Sequence, residues 1–276
     1  MKNNFSTTLS VSIQTDAGCV RKANEDSGRY VRPNDAITQA RKGTLTIVAD
    51  GMGGHSSGEI ASQMAVELIS RNYYSDKDKD AHRALRKAVE MANTEIFITS
   101  MTNRNFFGMG TTIIALVLLG DRAFAAHVGD SRLYRLRHGK MELLTMDHSQ
   151  VMEMVKQGII SFEEARNHDD KNVILRAVGT QPVVEVEMSN VFAVKPNDQF
   201  LLCSDGLCDM LEDEQIRRIW LEAKDVTEAC EQLIEEAKRH GGNDNITVGI
   251  VHVTPENELL GKKAVRITRE FEEAAL

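Results

Sequence analysis

The chain of 276 residues carries 33 Lys and Arg against 41 Asp and Glu, a formal net charge of −8. This acidic balance argues against a nucleic-acid surface, because phosphate backbones recruit stripes of lysine and arginine. Four cysteines without CxxC spacing indicate reduced thiols in a cytoplasmic protein. The N-terminus lacks a secretory signal, and the longest apolar run, residues 113–119, is too short to cross a bilayer, so we expect no membrane association.

Seven stretches have the alternating or β-rich composition of strands. They cover residues 9–15, 45–49, 111–119, 122–128, 183–194, 200–203 and 246–253. The alternation within residues 183–194 predicts a sheet with one polar face. The turn KPND at residues 195–198 then predicts a hairpin into QFLLCSD.

Helical periodicity is equally clear. It predicts a helix capped by Ser57, a second long helix over residues 81–98, a helix that follows Asp213, and a last one that begins at Asp225 and ends at Gly241. Strands and helices do not alternate one for one, so a doubly wound parallel sheet is disfavoured. We expect an α+β fold with antiparallel sheets between helix pairs.

The informative residues are aspartates at predicted strand ends. Asp26 closes the run RKANED, Asp50 and Asp205 each follow a strand and precede a glycine, Asp130 follows AAHVG, and Asp244 precedes the last strand. A loop aspartate is usually only a solvated turn former. Five repeats of one arrangement favour a shared acidic pocket, since strand ends meet along a sheet edge. Such a pocket needs cations, and Mg²⁺ or Mn²⁺ prefers oxygen ligands.

Two neighbours of these aspartates fit the same chemistry. Gly51 follows Asp50, and a carbonyl oxygen without a side chain beside it can serve as a metal ligand, although Gly51 also opens the glycine-rich turn GMGG. Arg21 precedes Asp26 by five residues, and a guanidinium matches two phosphate oxygens. Taken alone, Arg21 is more often a surface ion-pair partner.

Eight motifs occur in order between residues 15 and 253: DAGCVRKANED, VADGMGGHSSGEIAS, GMGTT, AHVGDSRLYRL, TMDHSQVMEMVKQGIISFEEA, LRAVGT, LLCSDGLCDML and GGNDNITV. Through them the chain resembles the protein phosphatase type 2C family, the metal-dependent phosphatases, in its short bacterial form. The resemblance implies a four-layer α-β-β-α sandwich of two antiparallel sheets flanked by helix pairs. It implies one phosphatase domain over residues 1–255, a flap insert at 147–180, and a tail at 256–276 that is either helical or disordered.

The resemblance also implies roles for individual residues. The binders of two Mn²⁺ or Mg²⁺ ions would be Asp26, Asp50 as the bridging carboxylate, the Gly51 carbonyl, Asp205 and Asp244. A weaker third ion would lie at Asp130 and Asp209. Arg21 would grip the phosphate, and Glu25 would support the metal waters.

Two departures from the family pattern stand out. Some members place a histidine directly after the Asp-Gly pair, whereas this chain has Met52 there and its nearest histidine is His55. His55 is therefore a poor candidate for the general acid, and a metal-bound water can serve instead. The insert motif NHDDKN also lacks the proline usual in short bacterial members.

The implied function is direct hydrolysis of phosphoserine and phosphothreonine by water that two cations activate. The implied substrates are proteins phosphorylated by a bacterial serine/threonine kinase, and we expect a monomer. An alternative is a catalytically weak pseudophosphatase that acts as a signalling partner-binding module. A nucleotide-binding role is disfavoured because Glu59, rather than the P-loop lysine, follows Gly58.

Overall fold

The computed structural model describes residues 7–53 and 57–255. Its strands are β1 (Thr7–Asp16), β2 (Asp26–Val31), β3 (Thr44–Met52), β4 (Gly110–Thr111), β5 (Ile113–Leu119), β6 (Arg122–Val128), β7 (Arg132–Arg137), β8 (Lys140–Leu143), β9 (Glu187–Met188), β10 (Phe192–Ala193), β11 (Gln199–Cys203) and β12 (Ile246–Pro255). Its helices are α1 (Ala36–Lys42), α2 (Ser57–Ser75), α3 (Ala81–Thr102), α4 (Gln150–Lys156), α5 (Phe162–Arg166), α6 (Asp205–Cys208), α7 (Asp213–Glu222) and α8 (Val226–Arg239), with one 3₁₀ turn at Arg104–Phe106.

The strands form two sheets. One sheet has the order β1-β12-β11-β7-β8, and the other has the order β10-β6-β5-β3-β2, with β4 paired to β3 and β9 paired to β6. Every pair in both sheets is antiparallel. The expectation of two antiparallel sheets packed with helices is confirmed.

The two sheets and the helices on their outer faces form four layers, and an apolar core fills each of the three spaces between them. Strand β5 shows how, because Ile113 and Val117 pack toward α2 and α3 while Ile114 and Leu116 pack toward the other sheet. Strand β11 does the same, with Phe200 facing the sheet that contains β5 and Leu201 facing α7 and α8. A strand covered on both faces reads as a continuous apolar run, which explains the sequence IIALVLL of β5.

The insert at residues 147–180 contains α4 and α5, each begun by a serine cap. Ser149 accepts a hydrogen bond from the backbone of Met152, and Ser161 forms a capping box with Glu164. An isolated bridge between Ser149 and Ile174 pairs the two ends of the insert with each other, and a second bridge between Thr111 and Val178 attaches its C-terminal end to the sandwich.

The predicted strand at residues 183–194 and the hairpin after it are wrong. Only β9 and β10, two residues each, form there, and both pair with β6, whereas β11 pairs with β7 and β12. The turn KPND thus connects one sheet to the other. Its Asp198 is buried and ion-paired with Arg137 at 2.6 Å, which fixes the crossing.

Strands β2, β7 and β8 were not predicted. Strand β2 contains Gly28 and few apolar residues, while in β7 the sequence RLYRLR interrupts its apolar residues with arginines. The β7–β8 hairpin turns at His138 and Gly139, both with positive φ, as a two-residue hairpin loop requires.

No helix within these described residues is both long and apolar enough for a transmembrane span. The predicted tail at residues 256–276 lies outside the described part of the chain.

Candidate metal centre

Strand register brings four of the predicted carboxylates together in two pairs, one from each sheet, at one end of the sandwich and not along the edge of a single sheet as expected. Asp26 and Asp50 are direct partners on β2 and β3. Asp205 begins α6 just after β11, and Asp244 lies just before β12, the strand that pairs with β11. The backbone of Ser204 also donates to the carbonyl of Thr247 at 3.1 Å, which extends this pairing to the residue before Asp205.

The electrostatics of these acids show that they share one site. Burial raises the pKa of Asp50 well above its usual range, and the charges of Asp26, Asp205 and Asp130 raise it further. Burial likewise raises the pKa of Asp26 to about 6 and that of Asp130 to about 7. The pKa of Asp205 is also raised well above its usual range, by burial and then by the charges of Asp130 and other acids. Without cations, the cluster therefore favours protonated carboxyls.

Several carboxylate oxygens in this site are buried without a partner. Among the described residues, Oδ1 of Asp26, Asp130 and Asp205 has no hydrogen-bond donor. A buried, unpaired carboxylate oxygen is costly, and oxygen donors of this kind are the ligands that Mg²⁺ and Mn²⁺ prefer. The residues present thus fit the divalent cations that the sequence predicts.

Gly51 lies where three chain segments meet. Its amide donates to the carbonyl of Glu25 at 3.1 Å, and a Cβ at this position would lie 2.1 Å from the carbonyl oxygen of Gly58. Only glycine fits this close approach of α2 to β3. The Glu25 carboxylate accepts a hydrogen bond from the Gly58 amide at the start of α2, and burial raises its pKa.

Arg21 lies at the rim of the site and contacts it directly. Its Nη2 atom is 2.6 Å from Oδ2 of Asp244, and 52% of its side chain is exposed. The loop that carries Arg21 is held by Asn245, which is buried. The Asn245 side chain accepts from the amide of Glu25 at 2.8 Å and donates to the carbonyls of Ala17 at 3.1 Å and Ala23 at 2.9 Å.

Asp130, which lies between β6 and β7, belongs to the same cluster of acidic residues. Its largest electrostatic neighbour is Asp147, which accepts hydrogen bonds from Arg132 at 2.7–3.1 Å. Both partners of this ion pair are about nine-tenths buried. The pair therefore fixes the first residue of the insert against the strand that follows Asp130.

Asp209 follows α6 and faces the insert. Its Oδ2 atom accepts a hydrogen bond from Nζ of Lys171 at 2.7 Å. A cavity of about 50 Å³ opens beside them, and its lining includes Asp130, Asp205 and Cys208. Asp130 and Asp209 are thus close enough to line one cavity.

A second group of possible metal ligands consists of His127, His148 and Glu187, whose donor atoms lie within 4.8 Å of one another. The two imidazoles stack with ring centres 4.4 Å apart and planes 16° apart, so their lone pairs run parallel and do not converge on one ion. Nδ1 of His148 accepts from the Gly129 amide at 3.1 Å, and the Arg176 guanidinium lies 3.4 Å from Nε2. This group supports the turn before Asp130.

His55 lies outside the described residues, and Met52 ends β3. Sequence reasoning missed four side chains that shape the site. Ser204 donates to Oδ2 of Asp26 at 2.8 Å, while Asn245, Arg132 and Lys171 make the contacts described above. Asn245 and Ser204 had a signal, because each stands directly beside a predicted ligand, Asp244 in GGNDN and Asp205 in LLCSDGLCDML.

An α+β sandwich with carboxylates gathered at one end of its two sheets defines a metal-dependent hydrolase. Residues 31–240 match the family model described as Protein phosphatase 2C. The serine/threonine phosphatase stp of Listeria innocua is 37% identical over 247 residues, which cover 88% of this chain and 95% of that protein.

Solved structures agree. The Mycobacterium tuberculosis serine/threonine phosphatase PstP/Ppp matches with a TM-score of 0.80 and 35% identity, over 91% of this chain and 100% of that one. A structure of the PstP catalytic domain in complex with two manganese ions matches with a TM-score of 0.78 and 35% identity, with the same coverage. The chain belongs to the protein phosphatase 2C family, the metal-dependent serine/threonine protein phosphatases.

Proposed function

We propose that Asp26, Asp50, Asp205 and Asp244 hold two Mn²⁺ or Mg²⁺ ions, with the carbonyl of Gly51 as a further ligand. The observation that supports this most strongly is that Oδ1 of Asp26 and Oδ1 of Asp205 are buried without a protein partner in the described part of the chain. Asp50 would be the ligand shared by both ions, since it is the register partner of Asp26 and lies close enough to Asp205 to feel its charge. Asp130 and Asp209 hold a weaker third ion.

When bound, two such ions supply Lewis acidity and a source of hydroxide for direct attack on a phosphate ester. Arg21 orients the phosphate and neutralises charge on its equatorial oxygens, which is where phosphoryl transfer needs help. Its exposed position at the rim allows it to meet an incoming phosphoprotein. Glu25 and Asn245 act on this geometry by holding the segments that carry Arg21 and Asp26.

We infer that the substrates are proteins phosphorylated on serine or threonine by a bacterial protein kinase. The buried thiols of Cys203 and Cys208 have no nucleophilic role, since burial and their mutual contact raise the pKa of Cys208 well above its usual range. We further propose that residues 1–255 form a single, monomeric catalytic domain.

The test is hydrolysis of p-nitrophenyl phosphate and of a phosphothreonine peptide by the purified protein, with and without Mn²⁺. Asp50→Asn and Asp205→Asn are measured beside the wild type. We expect activity that depends on Mn²⁺ and is lost in both variants. Activity that a chelator leaves unchanged, or that survives both substitutions, contradicts the proposal.

A further inference from the structure

Lys171, on the insert, places a positive charge inside the acidic cluster. Its Nζ atom lies 2.7 Å from Oδ2 of Asp209, and about a third of each side chain is exposed. Both residues line the 50 Å³ cavity that Asp130 and Asp205 also line. The ammonium group therefore lies beside the carboxylates proposed for the third ion.

The carboxylate oxygens around this ammonium group form an environment that favours a cation. Oδ1 of Asp130 and Oδ1 of Asp205 are buried and find no donor among the described residues. Asp209 lines the same cavity, so its carboxylate repels theirs. A positive charge next to Asp209 relieves part of this repulsion, whether it comes from a divalent ion or from a lysine.

We propose that Lys171 is a tethered cation that competes with the third divalent ion for Asp209. With Lys171 on Asp209, the loop around residue 171 is held down on the metal centre. With a divalent ion on Asp209, that loop is released. This inference rests on the proposed function, because it requires the cluster to bind divalent ions.

Other contacts limit the released segment. Arg166, on α5, donates to the carbonyls of Cys208 at 3.2 Å and Leu211 at 3.3 Å, so the helical part of the insert stays docked without Lys171. Within the loop, the amides of Lys171 and Val173 donate to the carbonyls of His168 at 3.2 Å and Asp170 at 3.0 Å, and the loop ends where the Gln150 amide donates to the carbonyl of Val173 at 2.9 Å. Loss of the ion pair therefore affects the loop and leaves α4 and α5 in place.

The expected change in affinity at the third site follows from the exposure of the Lys171–Asp209 ion pair. Partly exposed ion pairs contribute little to stability, so a divalent ion can displace Lys171. Removal of the competing charge is expected to tighten the third site about two- to fivefold. The first two sites do not include Asp209 and are expected to keep their affinities.

The experiment is calorimetric titration of the full chain with Mn²⁺ for the wild type, Lys171→Gln, Lys171→Arg and Lys156→Gln. Lys156 is exposed on α4, so its substitution removes the same charge from the same insert. We expect a tighter third site in Lys171→Gln alone, with wild-type affinity in Lys171→Arg and Lys156→Gln. A third site that is unchanged in Lys171→Gln, or equally tightened in Lys156→Gln, overturns the proposal.

Hydrogen exchange supplies a readout independent of affinity. In the wild type, Mn²⁺ beyond two equivalents is expected to speed exchange at the Lys171 and Val173 amides, whereas Lys171→Gln exchanges fast there from the start. If the exchange rates of these amides do not change when the third equivalent of Mn²⁺ is added, Lys171 and the third ion do not compete for Asp209. If no Mn²⁺ binds to any variant, the proposed metal centre fails. If two ions bind and Lys171 has no effect on the third, only the present inference fails.

Discussion

The guanidinium of Arg21 and the carboxylate of Asp244 form an ion pair, with Nη2 and Oδ2 2.6 Å apart. One partner is the proposed phosphate ligand and the other a proposed metal ligand. The two side chains are 52% and 36% exposed, and pairs of this exposure contribute little to stability. Arg21 can therefore leave Asp244 at little cost once a divalent ion occupies that carboxylate, which makes the arginine available to substrate.

Arg21→Ala should weaken substrate binding and leave metal binding intact. Hydrogen bonds to charged groups are worth enough that we expect kcat/KM to fall about tenfold to a hundredfold, mainly through KM. The measurements are steady-state kinetics on a phosphothreonine peptide and Mn²⁺ titration. Lys22→Ala removes a neighbouring charge and should have little effect. Loss of Mn²⁺ binding in Arg21→Ala would count against its assigned role.

Asn245→Ala should act at a distance through the Arg21 loop. The substitution leaves the Glu25 amide and the carbonyls of Ala17 and Ala23 without their partner, and we expect the free energy of unfolding to fall by about 1–3 kcal/mol. Urea denaturation measures this loss, and kinetics should show a raised KM as in Arg21→Ala. Asn243→Ala, an exposed neighbour, is the control. Equal effects of both substitutions would refute the positioning role.

Gly51→Ala should disrupt the centre more than its single methyl group suggests. The new Cβ would lie 2.1 Å from the Gly58 carbonyl oxygen and 2.5 Å from that of Glu25, both of which are backbone atoms. We expect a lower melting temperature and weaker Mn²⁺ binding. Gly249→Ala serves as the control, because its Cβ would meet its nearest neighbour at an ordinary 3.5 Å. Wild-type behaviour of Gly51→Ala would show that the segments can separate freely.

The metal-free protein should lose stability as the pH rises from 4 to 7. The folded-state pKa values of Asp26 and Asp130, about 6 and about 7, lie above the ordinary 3.8, so the folded state binds more protons than the unfolded state in this window. Each such proton contributes a slope of about −1.4 kcal/mol per pH unit to the free energy of unfolding.

Urea denaturation of the chelator-treated protein at several pH values measures this slope. Asp26→Asn removes one of the two titrating groups, so the free energy of unfolding of this variant should decline less steeply with pH than that of the wild type. Added Mn²⁺ should stabilise the wild type more at pH 7 than at pH 5, since the ions compete with protons. A slope that Asp26→Asn leaves unaltered, or Mn²⁺ stabilisation that is greater at pH 5, would contradict the assignment.

The sequence predicted the features that local patterns encode. Apolar runs such as that of β5 and glycine-flanked aspartates such as Asp50 are read within a few residues, so the central strands and the placement of the carboxylates could be predicted. The crossing at Asp198 could not, because a turn motif does not reveal which sheet receives the next strand. Its partner Arg137 is 61 residues away.

The supporting side chains of the site depend on contacts still more distant in the chain. Asn245 binds residues 220 and 228 positions earlier, and Lys171 meets Asp209 across 38 residues. Neither contact leaves a periodic or spacing signal. Strand β2 was missed for another reason, since its place beside β3 is set by pairing and its own residues are only weakly apolar.

Anomalous diffraction from crystals grown with Mn²⁺ tests the central claim most directly. We expect two adjacent manganese peaks, about 3.5–4 Å apart, with Asp50 between them and Asp26, Asp205 and Asp244 around them. Crystals that contain manganese but show no paired peaks there, with these carboxylates directed to separate regions of solvent, would contradict it.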